Sequence, residues 1–178
     1  DPIIRKALAI GANDAVRIDS NPVDSTQVAR QIANYASDKS FDIILCGKET
    51  INHNSAAVGA MIAECLDMPF VPFATSLNVD GNSYNLTCET AGGTNKVTVN
   101  SSFVLSAAKG MSEQRIPNMR GIMSARTKSL QVVESSVEGA TSSVMKFSLP
   151  PAKGDCVMVD ADNPAELVRL LREEAKII

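Results

Sequence analysis

Phe41-Asp42-Ile43-Ile44-Leu45-Cys46-Gly47 is a short, continuous apolar run that stops at a glycine. A strand with both faces buried reads this way, because neither face can be polar, and such strands belong to parallel sheets. Upstream, Ser25-Thr26 opens a helix that carries Val28, Ile32, Tyr35 and Ala36 on one face. Before it, Asn21-Pro22 marks a turn, and Ala15-Val16 with Ile18 forms a short apolar strand. Asp1 to Ile10 reads as the first helix: Asp1 caps it, Pro2 suits its first turn, Ile4 and Leu8 share a face, and Gly11 ends it. Downstream of Gly47, a polar loop from Lys48 to Asn54 leads to a third helix starting near Ser55, with Val58, Met61, Ile62, Cys65 and Leu66 at helical spacing. Helix and strand alternate throughout, which predicts an α/β domain built on a parallel sheet.

The pattern changes after Pro69. Leu77 and Val79 alternate up to a turn at Asp80-Gly81-Asn82, and Tyr84, Leu86 and Cys88 alternate beyond it. A second turn at Ala91-Gly92-Gly93 leads to Val97 and Val99, so this stretch predicts an antiparallel meander. Phe103-Val104-Leu105 is again continuously apolar and returns to the main sheet. Lys109 to Lys128 has little periodicity, Ser135 to Ser143 reads as a polar loop, and Pro150-Pro151 is a rigid extended piece. Asn163-Pro164-Ala165-Glu166 starts a last helix with capping-box spacing and an apolar stripe of Leu167, Leu170 and Leu171.

Composition excludes several classes of function. At 178 residues, with 44% apolar and 21% charged side chains, the chain is a globular domain able to bury its own core. Its 17 basic and 20 acidic side chains give a net charge of −3, so it lacks the basic face that nucleic acid demands, and 4% aromatics without tryptophan supply no stacking platform. No apolar run is long enough for direct membrane insertion. Cys46, Cys65, Cys88 and Cys156 are widely spaced and read as buried free thiols, with no metal site. His53 is the only histidine, too few for a zinc site, and no nucleophile elbow accompanies it.

Two segments carry chemical information. Gly47 to Gly59 joins a strand end to a helix start, where ligands bind in open parallel sheets and where free amides favour phosphate. Small residues at Ser55, Ala56 and Ala57 would admit a phosphate to the backbone; a polar loop capped by Asn54 or Ser55 fits the same residues. Lys109 to Lys128 holds five cations against Glu113, a local net of +4 that leaves −7 on the rest of the chain. Met111, Ile116, Met119, Ile122 and Met123 lie between those charges. Such a segment suits an adaptable contact with an acidic partner, and equally a solvated loop packed by its own methionines.

Together these segments resemble the beta subunit of electron-transfer flavoprotein. Arg5-Lys6-Ala7-Leu8-Ala9-Ile10-Gly11-Ala12 is similar to that family's "RKALAMGAD" stretch, and Leu45 to Ile51 followed by Val58-Gly59 is similar to its nucleotide loop. Ala91-Gly92-Gly93 matches a family turn, and Glu113 to Arg126 looks like the family signature, the more specific of these motifs. The resemblance runs from Asp1 to the last helix. It implies a three-layer parallel-sheet fold of the adenine nucleotide alpha hydrolase-like kind, with an α/β nucleotide-binding domain over 1–128 and a C-terminal arm and helix over 129–178 docking on the alpha subunit. The family's beta subunit begins earlier, so the resemblance also implies that strands preceding Asp1 are missing and that exposed sheet edges invite association.

The family is an electron carrier, not an enzyme of bond chemistry. The resemblance implies FAD bound mainly by the alpha partner, and either AMP or a second FAD in this chain. Carried over by position, the nucleotide contacts are Gly47, Lys48, Ile51, Asn52, Asn54, Ser55, Ala56, Ala57 and Val58. Ala56-Ala57-Val58 stands where many AMP-binding members have Asn-Gln-Thr, which leaves backbone amides and Ser55 as contacts. Val58-Gly59, Arg115-Ile116-Pro117 and Arg120-Gly121 look more like the bifurcating or nitrogen-fixation-type branch. The partner-binding residues by position are Arg115, Met119, Ile122, Met123 and Arg126, with Met119 as the apolar anchor. Implied partners are acyl-CoA dehydrogenases as donors and a quinone oxidoreductase as acceptor, in a bacterial cytoplasm or a mitochondrial matrix. A free-standing adenine-nucleotide module of the universal-stress type shares the alternating pattern but lacks its glycine signature here.

Overall fold

Phe103-Val104-Leu105-Ser106 is buried along its whole length, and the larger sheet is assembled around it. The computed structural model describes residues 1–137 and 139–178, which separate into two units, Asp1–Ser143 and Val144–Ile178. In the first unit the elements are α1 (Pro2–Ala9), β1 (Ala15–Asp19), α2 (Ser25–Ala36), β2 (Ile43–Gly47), α3 (Val58–Cys65), β3 (Phe70–Asp80), β4 (Ser83–Thr90), β5 (Gly93–Val99), β6 (Phe103–Ala107), α4 (Met119–Ala125) and β7 (Leu130–Glu134). A five-stranded sheet has the order β2-β6-β3-β4-β5, and β1 pairs with β7 in a separate parallel two-stranded sheet. The expected mixed α/β class is met, with parallel and mixed sheets and a helical layer, compatible with a three-layer domain.

β6 runs parallel to β2 and β3 on either side, with Val104 opposite Ile44 and Phe70. Val104 points to the helical layer, where Ala29 of α2 and Ile62 and Ala63 of α3 form one core. Phe103 and Leu105 point the other way, into a core with Val71, Ala74, Leu86, Cys88 and Val99 from the meander. The sheet curls strongly enough that Tyr84 of β4 reaches Phe103 across the intervening β3, with ring centroids 5.2 Å apart. The meander has the expected turns: Gly81 (φ 57°) and Gly92 (φ 87°) take the left-handed conformation that two-residue hairpins need.

The expected doubly buried strand at 41–47 is an edge strand instead. Among the described residues β2 pairs with β6 alone, and Leu45 is 62% exposed. Ile44 and Cys46 pack toward the helical layer, and Ile43 meets the meander core on the other face. The strand covered on both faces is β6. Other expectations also move. Asp1 makes no side-chain cap; its carboxylate pairs with Arg17 Nε at 3.2 Å. α3 starts at Val58, after Ala57, so neither Asn54 nor Ser55 caps it. The thiols are not all buried: Cys65 and Cys156 are exposed, Cys46 is half-buried and only Cys88 is buried. The first compact unit runs to Ser143, with β7 paired to β1. Among the described residues no helix is long and apolar enough to cross a membrane.

In the second unit, an extended stretch precedes α5 (Pro164–Arg169) and a π-helical turn (Leu170–Glu174). Asn163 accepts a bond from Glu166 N, as its spacing suggests. Arg169 pairs with Glu166 at 2.7 Å and Glu173 at 3.1 Å, which holds the Glu166 carboxyl below its usual range.

α2 is capped by Asp24, one residue before the expected start. Asp24 Oδ1 accepts from Gln27 N at 2.7 Å, and Gln27 Oε1 accepts from Val23 N at 2.9 Å. Asp24 Oδ2 accepts from Thr141 N at 2.7 Å and Ser142 N at 2.8 Å, with both hydroxyls also donating. These bonds, led by Gln27 N, hold the Asp24 carboxyl well below the usual carboxylate range. A depressed carboxyl contributes stability that is fully present above its unfolded value of about 4 and is lost as pH falls through the folded value. Asp24→Asn keeps the Oδ1 cap and removes the Oδ2 acceptor. The stability difference between wild type and D24N, measured by urea unfolding, is therefore expected to be constant above about pH 5 and to shrink at lower pH.

Candidate functional site

The loop after β2 is built from a ladder end. Gly47 stands opposite Ala107, and Lys48 N continues the ladder by donating to Ala107 O at 3.1 Å. The Lys48 ammonium lies 5.2 Å from the centroid of Phe73. Phe73 sits at an irregularity of β3 with φ 53°, where Ser106 Oγ accepts from its N–H at 2.9 Å and so gives the buried hydroxyl a partner. The loop then closes a turn in which Asn54 N donates to Thr50 O at 2.8 Å. Asn54 (φ 48°) and Ala56 (φ 50°) are both left-handed. Asn tolerates that region; Ala56 is strained there by roughly 1–2 kcal/mol.

Ala57 delivers the chain to α3 without any side-chain cap, so the first amides of the helix, Val58 to Ala60, have no protein acceptor among the described residues. α2, α4 and α5 each have one. Gly59 lets α3 begin close to the sheet: a Cβ there would meet the Phe70 ring at 3.1 Å. This donor set, free amides beside the side chains of Ser55, Ala56 and Ala57, fits an anionic group such as phosphate. The remaining expected contacts are spread along the loop: Gly47 and Lys48 at its start, and Ile51, Asn52 and Asn54 exposed at its tip, Ile51 by 96%. Neither of the two principal cavities borders the loop. Burial raises the Cys46 thiol above its ordinary value, so it is not a ready nucleophile.

The segment expected to lack periodicity holds α4. Asn118 caps it by accepting from Gly121 N at 2.8 Å. Met119, Ile122, Met123 and Arg126 follow at helical spacing, and all four are exposed, Met119 by 74%. The structure thus gathers four of the five expected partner residues on one face. The fifth, Arg115, stands apart, its guanidinium beside Gly11. The opposite face of α4 packs on α1. Ala125 is buried, and a Cβ on Gly121 would collide with the carbonyl oxygen of Ala9.

Two cations lock this contact reciprocally. Arg5 of α1 donates to the carbonyls of Ala125 and Lys128, both at 2.7 Å, at the end of α4. Lys128 donates to the carbonyls of Leu8 at 3.0 Å and Ala12 at 2.6 Å, at the end of α1. Each helix so receives a positive charge at its negative end. Lys128, counted in the sequence among charges free for a partner, is committed internally. Lys109, Arg115, Arg120 and Arg126 make no ion pair among the described residues. Between the two helices lies a cavity of about 540 Å³, with Pro2, Ala9, Pro117 and Ile122 in its walls and Lys6 and Arg126 among its borders.

A family model described as an electron transfer flavoprotein domain matches residues 1–138. A relative named electron transfer flavoprotein subunit beta from Bacillus subtilis is 31% identical, over 98% of this chain and 74% of the relative. Relatives of the same name from Syntrophomonas wolfei and Homo sapiens are each 30% identical, over 97% and 98% of this chain and 69% and 71% of their own lengths.

Gly121→Ala forces α4 away from α1 and is expected to cost about 1–3 kcal/mol, an overpacking penalty. Urea unfolding reads the loss, and trypsin should cut faster at Arg120 and Arg126 as α4 loosens.

Proposed function

The chain belongs to the electron transfer flavoprotein family, and from that premise we propose that it is the beta subunit of such a carrier, paired with an FAD-bearing alpha subunit. In this reading it takes part in passing electrons from acyl-CoA and related dehydrogenases to a quinone oxidoreductase, in a bacterial cytoplasm or a mitochondrial matrix. Bound flavin supplies the redox chemistry. This chain's own residues bind, orient and dock.

The observation that carries the reading is the outward face of α4 within the family match. Met119, Ile122 and Met123 form an exposed apolar stripe on a helix whose other face is anchored. Apolar knobs of this kind fill pockets on a partner, and unpaired cations around them raise the rate of encounter with an acidic surface without adding much affinity. A carrier that must engage and release several partners needs that balance. Arg120 and Arg126 flank the stripe and make no ion pair among the described residues.

In the same reading the loop from Gly47 to Val58 holds a nucleotide, AMP or a second FAD. The free amides at the start of α3 and Ser55 would receive a phosphate, with Lys48 near the strand end as the nearest cation in sequence. The side chains of Ala56, Ala57 and Val58 offer no hydrogen bond, so recognition there falls to the backbone.

Reconstituted with its alpha partner, Met119→Asp is expected to keep its full flavin complement while electron transfer from an acyl-CoA dehydrogenase falls by at least about tenfold, the loss of a desolvated apolar contact. Unchanged transfer removes the anchor role. For the loop, mass spectrometry of the supernatant after denaturing the heterodimer should release one AMP, or one FAD beyond that of the alpha subunit. Release of neither overturns the nucleotide site, and purification as a lone ATP-binding homodimer overturns the carrier reading.

A further inference from the structure

β3 carries one residue too many where it runs beside β6. Val71 stands opposite Leu105 and Ala74 opposite Ala107, so three steps of β3 span two of β6. Within that interval Phe73 takes a φ of 53°, in the left-handed region. A bulky side chain there is an outlier, and glycine would meet the bend without a steric cost. Bulges of this kind re-aim a side chain and are frequent beside functional sites. A buried hydroxyl fixes the bend: Ser106, 4% exposed, accepts from Phe73 N through Oγ at 2.9 Å. Ala108 N then donates to Ala74 O at 2.8 Å, and the backbone contact between the strands resumes.

What the bend aims is an aromatic face. The Lys48 ammonium lies 5.2 Å from the Phe73 ring centroid, within the range of a cation–π contact. Lys48 is exposed, makes no ion pair among the described residues and follows Gly47 at the carboxyl end of β2. β2, β6 and the first part of β3 run parallel there, and ligands of open parallel sheets bind at that end. A lysine ammonium on its flexible stem loses rotamer freedom when it meets an anion, and a ring that holds it beforehand lowers that cost. A neutral ring does so without cancelling the charge, which a carboxylate partner would cancel.

We propose that Phe73, set by Ser106, is a positioning residue that holds the Lys48 ammonium ready for the phosphate of an adenosine 5′-phosphate group, the unit that AMP and FAD share, at the loop after β2. Resting on the reading of that loop as a nucleotide site, this role adds the residue that orients its cation. Phe73 acts through Lys48 and does not itself touch the phosphate.

The test titrates AMP, and FAD in parallel, into the heterodimer with its alpha partner after the nucleotide of this chain has been stripped. Phe73→Leu removes the ring and should weaken binding at least about threefold, whereas Phe73→Tyr keeps the aromatic face and should stay within about twofold of wild type. Lys48→Met should weaken binding more than Phe73→Leu does. Adding Phe73→Leu to Lys48→Met should then change little, because a ring that acts through the ammonium has nothing left to hold. Where Phe73→Leu folds poorly, Phe73→Met takes its place. In the wild-type spectrum the Lys48 ε-methylene protons should be shifted upfield by the ring current, and Phe73→Leu should abolish the shift. Equal affinity in Phe73→Leu and wild type, or losses that add in the double variant, overturn the positioning role and leave the nucleotide reading standing. Failure of wild type to bind either nucleotide overturns that reading and this role with it.

Discussion

β6 can exist only if both its faces are covered. Phe103, Val104 and Leu105 are fully buried, and their side chains alternate between two separate cores. The helical layer of α2 and α3 must cover one face and the curled meander the other. The same strand positions the loop after β2, since Ala107 takes the amide of Lys48 and Ser106 takes that of Phe73. Core packing and loop geometry are thus consequences of one buried segment.

The candidate docking face follows from a second constraint, the need of two short helices to satisfy their ends. α1 has eight residues and α4 has seven, too short to persist alone in water. Their terminal carbonyls receive bonds from each other's neighbourhood, through Arg5 and Lys128, and Gly121 removes the side chain that would hold the backbones apart. A cation spent in this way cannot attract a partner. Of the five basic side chains between Lys109 and Lys128, one is structural through its bonds to backbone carbonyls, and the other four, without such a bond among the described residues, flank the exposed stripe or precede it. Charge counting alone could not separate these roles, because both use the same residue type.

The sequence made the alternating helices and strands, the meander turns and the return of Phe103 to the sheet legible, each from a local pattern of period or turn chemistry. It misplaced the doubly buried strand because an apolar run reports how many apolar residues must be covered, not how many neighbours the strand has. Ile43-Ile44-Leu45 and Phe103-Val104-Leu105 look alike, and only pairing distinguishes the edge from the centre. α4 was missed although Asn118 before Met119, Ile122 and Met123 is a helix-start signal; one stripe over seven residues is too short to stand out as a period. Reciprocal capping and the Asp24 bonds to Thr141 and Ser142 join residues far apart in sequence, so no local pattern carries them.

The two candidate sites differ in how they are held, and the difference suits a carrier. At α4 the backbone is fixed by the bonds of Arg5 to the Ala125 and Lys128 carbonyls, while the exposed side chains are free to repack against different surfaces. At α3 the situation is reversed: the side chains are small, and unanswered backbone amides are the available groups. Recognition by backbone amides is rigid and indifferent to side-chain rotamers, as a permanently held group requires. Recognition by exposed methionines is weak and adaptable, as a succession of transient partners requires. A single chain can serve both only if the motions of one site do not reach the other, and here the loop after β2 is set by the β2–β6 ladder whereas α4 is set by α1, with no hydrogen bond joining the two pairs among the described residues.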